Sequence, residues 1–412
     1  MMNIKIFTIV LIILPLTIGD RFNCFSLSAF NICGRFDELT YVNQTQEAKS
    51  LELRLGGFSS ISPNAFQDLT ITELSLIFSN QLFEPRSVQL QQESFQGLTR
   101  LRELNIEFGL FSVKPSPFKY LKSLTRLVLY NCALEEVPQE VLTDFARLSE
   151  VVLDRNKISN ITVQSFSGTN VYIKKISLAS NAIESIEPRS FSTLQYLKIL
   201  SLSDNQLTDV LPGIFDGLDG LEHLELNRNK ITVLHKDSFK GLYQLKALNL
   251  EFNQIREIEF GAFSNLNLHY LNLGVNLIRN LPVGLLDDLK RLQKLDLQFN
   301  KFTVVPRNIF GKLKRMDQLY LESNEIERIE SYAFANLNLT ILELRNNKLK
   351  TLEADAFNGL NVTSLGLSNN GINDIEPLAF RNLTARTILL YGNNVNQVDV
   401  SNWNVTEFVT TK

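Results

Sequence analysis

Apolar and polar positions alternate along most of this chain on one template. In LKILSLSDNQLTDVLPGIFDGL, residues 197 to 218, the apolar places are Leu197, Leu200, Leu202, Leu207, Val210, Phe215 and Leu218, with Asn205 as the fixed polar place. The next unit opens at Leu221, twenty-four residues after Leu197. Leu200 and Leu202 have the period-two spacing of a short strand with one buried face. The Asn amide both donates and accepts, so it can serve backbone groups of neighbouring turns. One coil of this length cannot bury its own apolar side, whereas stacked coils pair their strands in parallel and share a continuous core.

The template holds tightly from Leu148 to Leu383, where Asn156, Asn181, Asn205, Asn229, Asn253, Asn276, Asn300, Asn324, Asn347 and Asn370 form one polar column. A partial unit follows with Ile388, Leu390 and Asn393. A second column holds Phe66, Phe95, Phe166, Phe191, Phe215, Phe239, Phe263, Phe310, Phe334, Phe357 and Phe380, with Leu142 and Leu286 standing in elsewhere. Flat rings one coil apart fill the outer side of a core. The early units are irregular: Gly56 and Gly109 replace the Asn, Cys132 occupies its place in the fourth unit, and a long loop follows Ser79. Return segments such as Ile186-Glu187-Pro188 suit loops and short 3₁₀ turns rather than full helices.

The predicted class is therefore α/β, mainly parallel β: a curved, horseshoe-shaped solenoid with strands inside and a loop or 3₁₀ convex side. The chain divides into a signal peptide at 1–19, an N-terminal cap at 20–47, about 15 repeat units at 48–400 and a tail at 401–412.

Compartment comes from the first residues. Lys5, the apolar run Ile6 to Leu14, Pro15 and small or polar residues before Asp20 have the order of a secretory leader, which predicts a secreted, extracellular protein without a membrane span. Cys24 and Cys33 lie just beyond, where the first coil would expose its core, and an oxidising compartment would let them pair. Sequons at Asn43, Asn160, Asn338, Asn361, Asn382 and Asn404 predict glycosylation, the three at 338, 361 and 382 along one lateral edge. The net charge of −3 comes without a basic block, which gives a nucleic-acid partner little support.

Catalysis has little to stand on in the sequence. The chain has 3 histidines, His223, His235 and His269, and none falls in a triad order or a metal-ligand motif. The expectation is a non-enzyme with no cofactor and no metal. Binding is better placed, because residues flanking the core leucines of each strand point to the inner face and are free to vary. They include His223, Glu225, Glu251, Tyr270, Asp296 and Tyr320. Directly before the ladder Asn, where other units carry Arg155, Ser180, Asp204, Arg228 or Ser323, three adjacent units carry Phe252, Val275 and Phe299. An apolar row rimmed by polar groups is the makeup of a binding centre; the alternative is that these rings fold over the coil edge as cover.

On these Leu, Asn and Phe columns the chain resembles the typical subfamily of extracellular leucine-rich repeat proteins, which includes Toll-type ectodomains, small matrix proteoglycans and Slit-like guidance proteins. The resemblance implies a protein, glycan or lipid ligand on the concave face. Two features depart from that group: nothing after Asn393 reads as a cysteine-rich cap, span or signalling domain, and the N-terminal cap has few cysteines. The cysteine-poor layout also resembles the non-catalytic leucine-rich subunit of oplophorid luciferases. The expected partner is an extracellular or cell-surface protein, with a catalytic partner subunit, or a microbial lipid or glycan, as the other readings.

Overall fold

The computed structural model describes residues 23–79, 84–170, 172–395 and 404–409. The predicted leader at 1–19 lies outside them. The chain forms two units, Met1–Ser201 and Leu202–Lys412.

In the first unit the cap is an antiparallel set, Asn23–Leu27, Phe30–Arg35 and Glu38–Gln44. Cys24 and Cys33 are direct cross-strand partners there and form a disulfide. Glu38 and Leu39 then pair in parallel with Ser60 and Ile61, which ties the cap to the first coil. The repeat strands of this unit are Ser50–Arg54, Glu73–Ile77, Glu103–Glu107, Arg126–Tyr130, Glu150–Val152, Lys175–Ser177 and Ile199–Ser201, paired in parallel in chain order. Within the irregular loop, Gln89–Leu90 pairs with Ser60–Ile61 and Arg86–Ser87 with Gly109–Leu110, so residues 84–92 run as part of the coil.

The second unit repeats the same plan with His223–Glu225, Ala247–Asn249, Tyr270–Asn272, Lys294–Asp296, Gln318–Tyr320, Asn338–Glu343, Asn361–Gly366, Thr384–Leu389 and Asn404–Val409. Each strand sends its middle leucine inward: Leu224, Leu248, Leu271, Leu295 and Leu319 are all fully buried.

Return segments are turns closed by hydrogen bonds from residue i to i−3, as in Ser190 to Glu187 and Leu194 to Phe191. Among the described residues the α-helical stretch is the five-residue Gln139–Thr143. The phenylalanine column is realised as stacked rings, with Phe215, Phe239 and Phe263 spaced 6.1 Å apart and Phe310, Phe334 and Phe357 about the same. Phe118, which the sequence pattern did not assign, joins the column 5.4 Å from Phe95. It stands twenty-four residues before Leu142, the ordinary coil length, in the coil where Gly109 replaces the Asn.

The asparagine column is a hydrogen-bond ladder. The Asn253 amide donates to the Leu226 and Leu250 carbonyls at 3.0 Å, and its Oδ1 accepts from the Ile231 N–H at 3.1 Å. Asn393 does the same for Leu367, Leu390 and Ile372, so the partial unit completes the series. Cys132 fills the asparagine place with a weaker donor: its Sγ lies 3.5 Å from the Ile106 and Tyr130 carbonyls, and burial pushes its thiol up to about 12.

Candidate functional site

The site is built by strand pairing in the second unit. Tyr270 pairs with Lys294, and Lys294 with Gln318; two residues along, Asn272 pairs with Asp296, and Asp296 with Tyr320. Because side chains alternate across a strand, these residues share the face opposite the leucine core. Adjacent strands lie about 4.8 Å apart, so neighbours in a column touch.

The register places Lys294 between two aromatic rings. Its Nζ lies 5.1 Å from the Tyr270 ring centre and 5.0 Å from that of Tyr320, within the range of a cation–π contact. The Tyr320 hydroxyl donates to Gln318 Oε1 at 3.2 Å. Burial pushes the Tyr270 phenol up to about 12.

Beside the clamp sit carboxylates that the strands have largely taken out of water. Asp296 is 6% exposed and Glu322 5%. Burial pushes the Asp296 carboxyl up to about 6, against the hydrogen bond from the Gln298 backbone and the charge of Lys294; Glu322 and Glu251 add like charge. Glu322 and Glu343 are raised for the same first cause, burial. Arg345 approaches both, at 3.7 Å from Glu322 and 3.9 Å from Glu343. Glu343 has its room because the paired strand offers Gly366: a Cβ there would collide with the Glu343 carboxylate.

Along one margin of this face runs the row Phe252, Val275 and Phe299. Their amides donate to Gly274, Gln298 and Glu322 carbonyls of the next coil, which stacks the three in sequence. All three adopt left-handed backbone, with φ of 56°, 51° and 51°. The same place in other coils is left-handed too, at Arg155, Ser180, Ser323, Asn346 and Asn369. Asn and Asp tolerate that conformation; a β-branched or bulky side chain does so at a cost. Phe252 is 42% exposed and Phe299 53%, and Arg228 lies over the Phe252 ring at 4.3 Å.

The ladder thus brings together Tyr270, Asp296 and Tyr320 and, along the margin, Phe252, Val275 and Phe299. Glu251 adds its charge to Asp296. Glu225 accepts a hydrogen bond from Asn249 at 2.9 Å, and the exposed His223 stands two strands from Tyr270, so these two flank the group. The sequence places Lys294 and Glu322 on the inner face without giving either a site role, and it does not assign Glu343 or Arg345. Glu343 continues the Asp296 and Tyr320 column one strand further, and Arg345 lies two residues beyond it.

The sequons at Asn160, Asn338, Asn361 and Asn382 are on exposed residues, and Asn43 is partly covered. Asn338 and Asn361 are direct strand partners. The Asn404 side chain lies outside the described residues. No helix among the described residues is long and apolar enough to cross a membrane.

Three solved structures share this architecture. A leucine-rich repeat protein of Leptospira interrogans is 24% identical, covering 85% of this chain and 91% of that one, with a TM-score of 0.61. A chain of the mouse RP105/MD-1 complex is 22% identical over 86% of this chain and 64% of that one, with a TM-score of 0.64. A chain of the Drosophila Toll–Spatzle complex is 18% identical over 91% of this chain and 53% of that one, with a TM-score of 0.71. This chain therefore spans less than two thirds of the length of the latter two. No curated protein matches the sequence significantly. The leucine-rich repeat family profile matches residues 146–207, 171–231, 219–278, 248–302, 290–339 and 338–395, together more than half of the chain. The ladder, the ring column and these matches agree: the chain belongs to the leucine-rich repeat family.

Proposed function

We propose that this is a secreted recognition protein that binds another protein on the strand face of its second unit, with Phe252, Val275 and Phe299 as the apolar anchor and Tyr270, Lys294 and Tyr320 beside it. The observation that carries the reading is the left-handed backbone of that row. Two phenylalanines and a valine occupy places where asparagine or aspartate would fit with less strain, and the phenylalanine rings stay exposed. Strain of this kind concentrates at binding and catalytic sites. Exposed aromatic residues next to polar groups are what protein interfaces select.

The disulfide between Cys24 and Cys33 supports an oxidising compartment, and so an extracellular partner. Glycans at Asn338, Asn361 and Asn382 would occupy the lateral edge and leave the strand face open. Two fold neighbours stand in complexes with other proteins, MD-1 and Spatzle, which is the ligand class proposed here. The test is affinity for a captured extracellular partner before and after Phe252→Ala combined with Phe299→Ser. A loss of tenfold or more with unchanged folding is expected; unchanged affinity removes the reading.

A further inference from the structure

Two neighbouring coils of the second unit carry the same basic dipeptide at the same place. Lys290-Arg291 and Lys314-Arg315 stand between the leucine that ends the return turn, Leu289 or Leu313, and the apolar residue that leads into the next strand, Leu292 or Met316. The two turns close alike. The Leu292 amide donates to Leu289 at 3.0 Å and that of Met316 to Leu313 at 3.1 Å, while Lys290 donates to Asp288 at 2.8 Å and Lys314 to Lys312 at 3.0 Å. Directly beyond them the Asp317 amide donates to the Gln293 carbonyl at 2.8 Å and Lys294 pairs with Gln318, which sets one turn on the other in register. Equivalent backbone places of paired coils lie about 4.8 Å apart, so Lys290 stands beside Lys314 and Arg291 beside Arg315. The coils on either side are one residue shorter here, as Leu266-Asn267-Leu268 and Leu337-Asn338-Leu339, so the two arginines occupy a step that the flanking coils lack.

All four side chains are exposed, and none forms an ion pair among the described residues. Elsewhere on this unit successive coils set opposite charges together, as in Lys246 with Glu222 and Lys348 with Glu325. Like charges on adjoining strands repel, and an anion laid across them relieves that repulsion. The exposed Lys312 adds a fifth cation at the place that Asp288 holds one coil earlier, and Asp317 is engaged by the Thr340 hydroxyl. Among the described residues, no exposed large apolar side chain falls within 287–293 or 311–317. A protein interface is built round an apolar centre, a membrane-binding segment inserts apolar side chains, and a single-stranded nucleic acid stacks on aromatic rings; this edge offers charge alone. We propose that Lys290, Arg291, Lys314 and Arg315 bind a sulfated polysaccharide. Sulfate groups recur along such a chain and stay ionised, and the guanidinium fork matches a sulfate as it does a phosphate, with the lysines adding point charge. The sequons of this edge begin one coil further on, at Asn338. The sequence shows no basic block because the charges are split between two repeats and only stacking unites them. This site lies apart from the strand face and shares with the proposed function only the extracellular location.

The test measures binding of the mature chain, at physiological salt, to a heparin octasaccharide, to an unsulfated heparosan octasaccharide, to a DNA duplex and to phosphatidylserine vesicles. Wild type binds the sulfated octasaccharide at least tenfold more tightly than the other three. Lys290→Gln, Arg291→Gln, Lys314→Gln and Arg315→Gln together lower that affinity at least tenfold, and Arg291→Gln with Arg315→Gln alone accounts for much of the loss. Lys230→Gln, Arg256→Gln, Arg279→Gln and Lys350→Gln remove the same charge from exposed residues in the loops after the asparagine ladder and leave the affinity nearly unchanged. Equal loss in the two fourfold variants would mean attraction to overall charge and would overturn the proposal. So would equal affinity for the sulfated and unsulfated chains, or tighter binding to the duplex or the vesicles. Phe252→Ala combined with Phe299→Ser keeps the polysaccharide affinity of wild type, so failure of the strand-face reading leaves this site standing; a loss there would count against it.

Discussion

Asn276 accepts the Ile255 amide proton on its Oδ1 at 3.0 Å, although the two residues stand in successive coils. The same side chain donates to the Leu250 carbonyl at 3.0 Å and to Leu273 and Gly274 at 3.1 Å, so a single amide makes four bonds, two of them to the preceding coil. Asn276→Ala would leave buried backbone groups without partners, at about 1–3 kcal/mol for each group not re-satisfied. Urea denaturation is expected to show a loss of about 3 kcal/mol with little change in slope. A loss of under about 0.5 kcal/mol, the scale of a surface substitution, would mean that the ladder does not hold the coils.

Val275 holds a left-handed backbone that its branched side chain opposes by about 1–2 kcal/mol. Val275→Asn is expected to raise stability by about 1 kcal/mol while weakening partner binding. Opposed changes in the denaturation midpoint and in affinity would identify the valine as kept for recognition. A variant that is less stable as well as weaker would assign it a packing role.

Asp296 titrates in the opposite sense to a salt-bridged acid. Its folded value, about 6, lies above the ordinary aspartate value of about 3.9. The native state therefore holds its proton longer than the unfolded chain, and the contribution to stability is present at low pH and lost as pH rises through about 6. Asp296→Asn should be close to wild type at pH 4 and more stable than wild type at pH 7.5, by about 1–3 kcal/mol. Identical pH profiles for the two proteins would contradict the buried placement.

His235 bridges three coils on the return side, with Nδ1 3.0 Å from Glu259 and Nε2 3.2 Å from Asp209. The Glu259 hydrogen bond is the main cause that raises its value above the usual histidine range, and Asp209 adds to it. A raised value means stability that is full below the unfolded histidine value and fades as pH rises through the folded one. Relative to His235→Gln, wild type should lose a modest margin in melting temperature between pH 6 and pH 8. A margin that grows over that interval would contradict the bridge.

Cys132, buried at the asparagine place, should resist an alkylating reagent in the native protein and take one label per chain in denaturant, with the disulfide intact. Rapid native labelling would show that this coil opens.

The fold was readable because a solenoid demands the same side chain at the same place in every coil. Asn205, Asn253 and Asn393 announce the ladder, and Phe215 to Phe263 announce the stacked rings. Phe118 was within reach too, twenty-four residues before Leu142 of the same column, but it sits in a coil where Gly109 replaces the Asn and the template is harder to follow. The unusual occupants at 252, 275 and 299 were visible as departures from a polar column. Their left-handed backbone was not, because φ at one place is fixed by how the whole coil closes. The Tyr270, Lys294 and Tyr320 clamp depends on distances across strands, which are not a property of spacing.

The central claim is that the margin of Phe252, Val275 and Phe299 meets another protein. The direct measurement places the photo-crosslinker p-benzoylphenylalanine at position 252, 299 or 260, the last also an exposed phenylalanine, Phe260, but on the return side. After irradiation in the native extracellular fluid, the same discrete protein adduct is expected from 252 and 299 and none from 260. Adducts of equal pattern from all three positions, or none from 252 and 299, would contradict it.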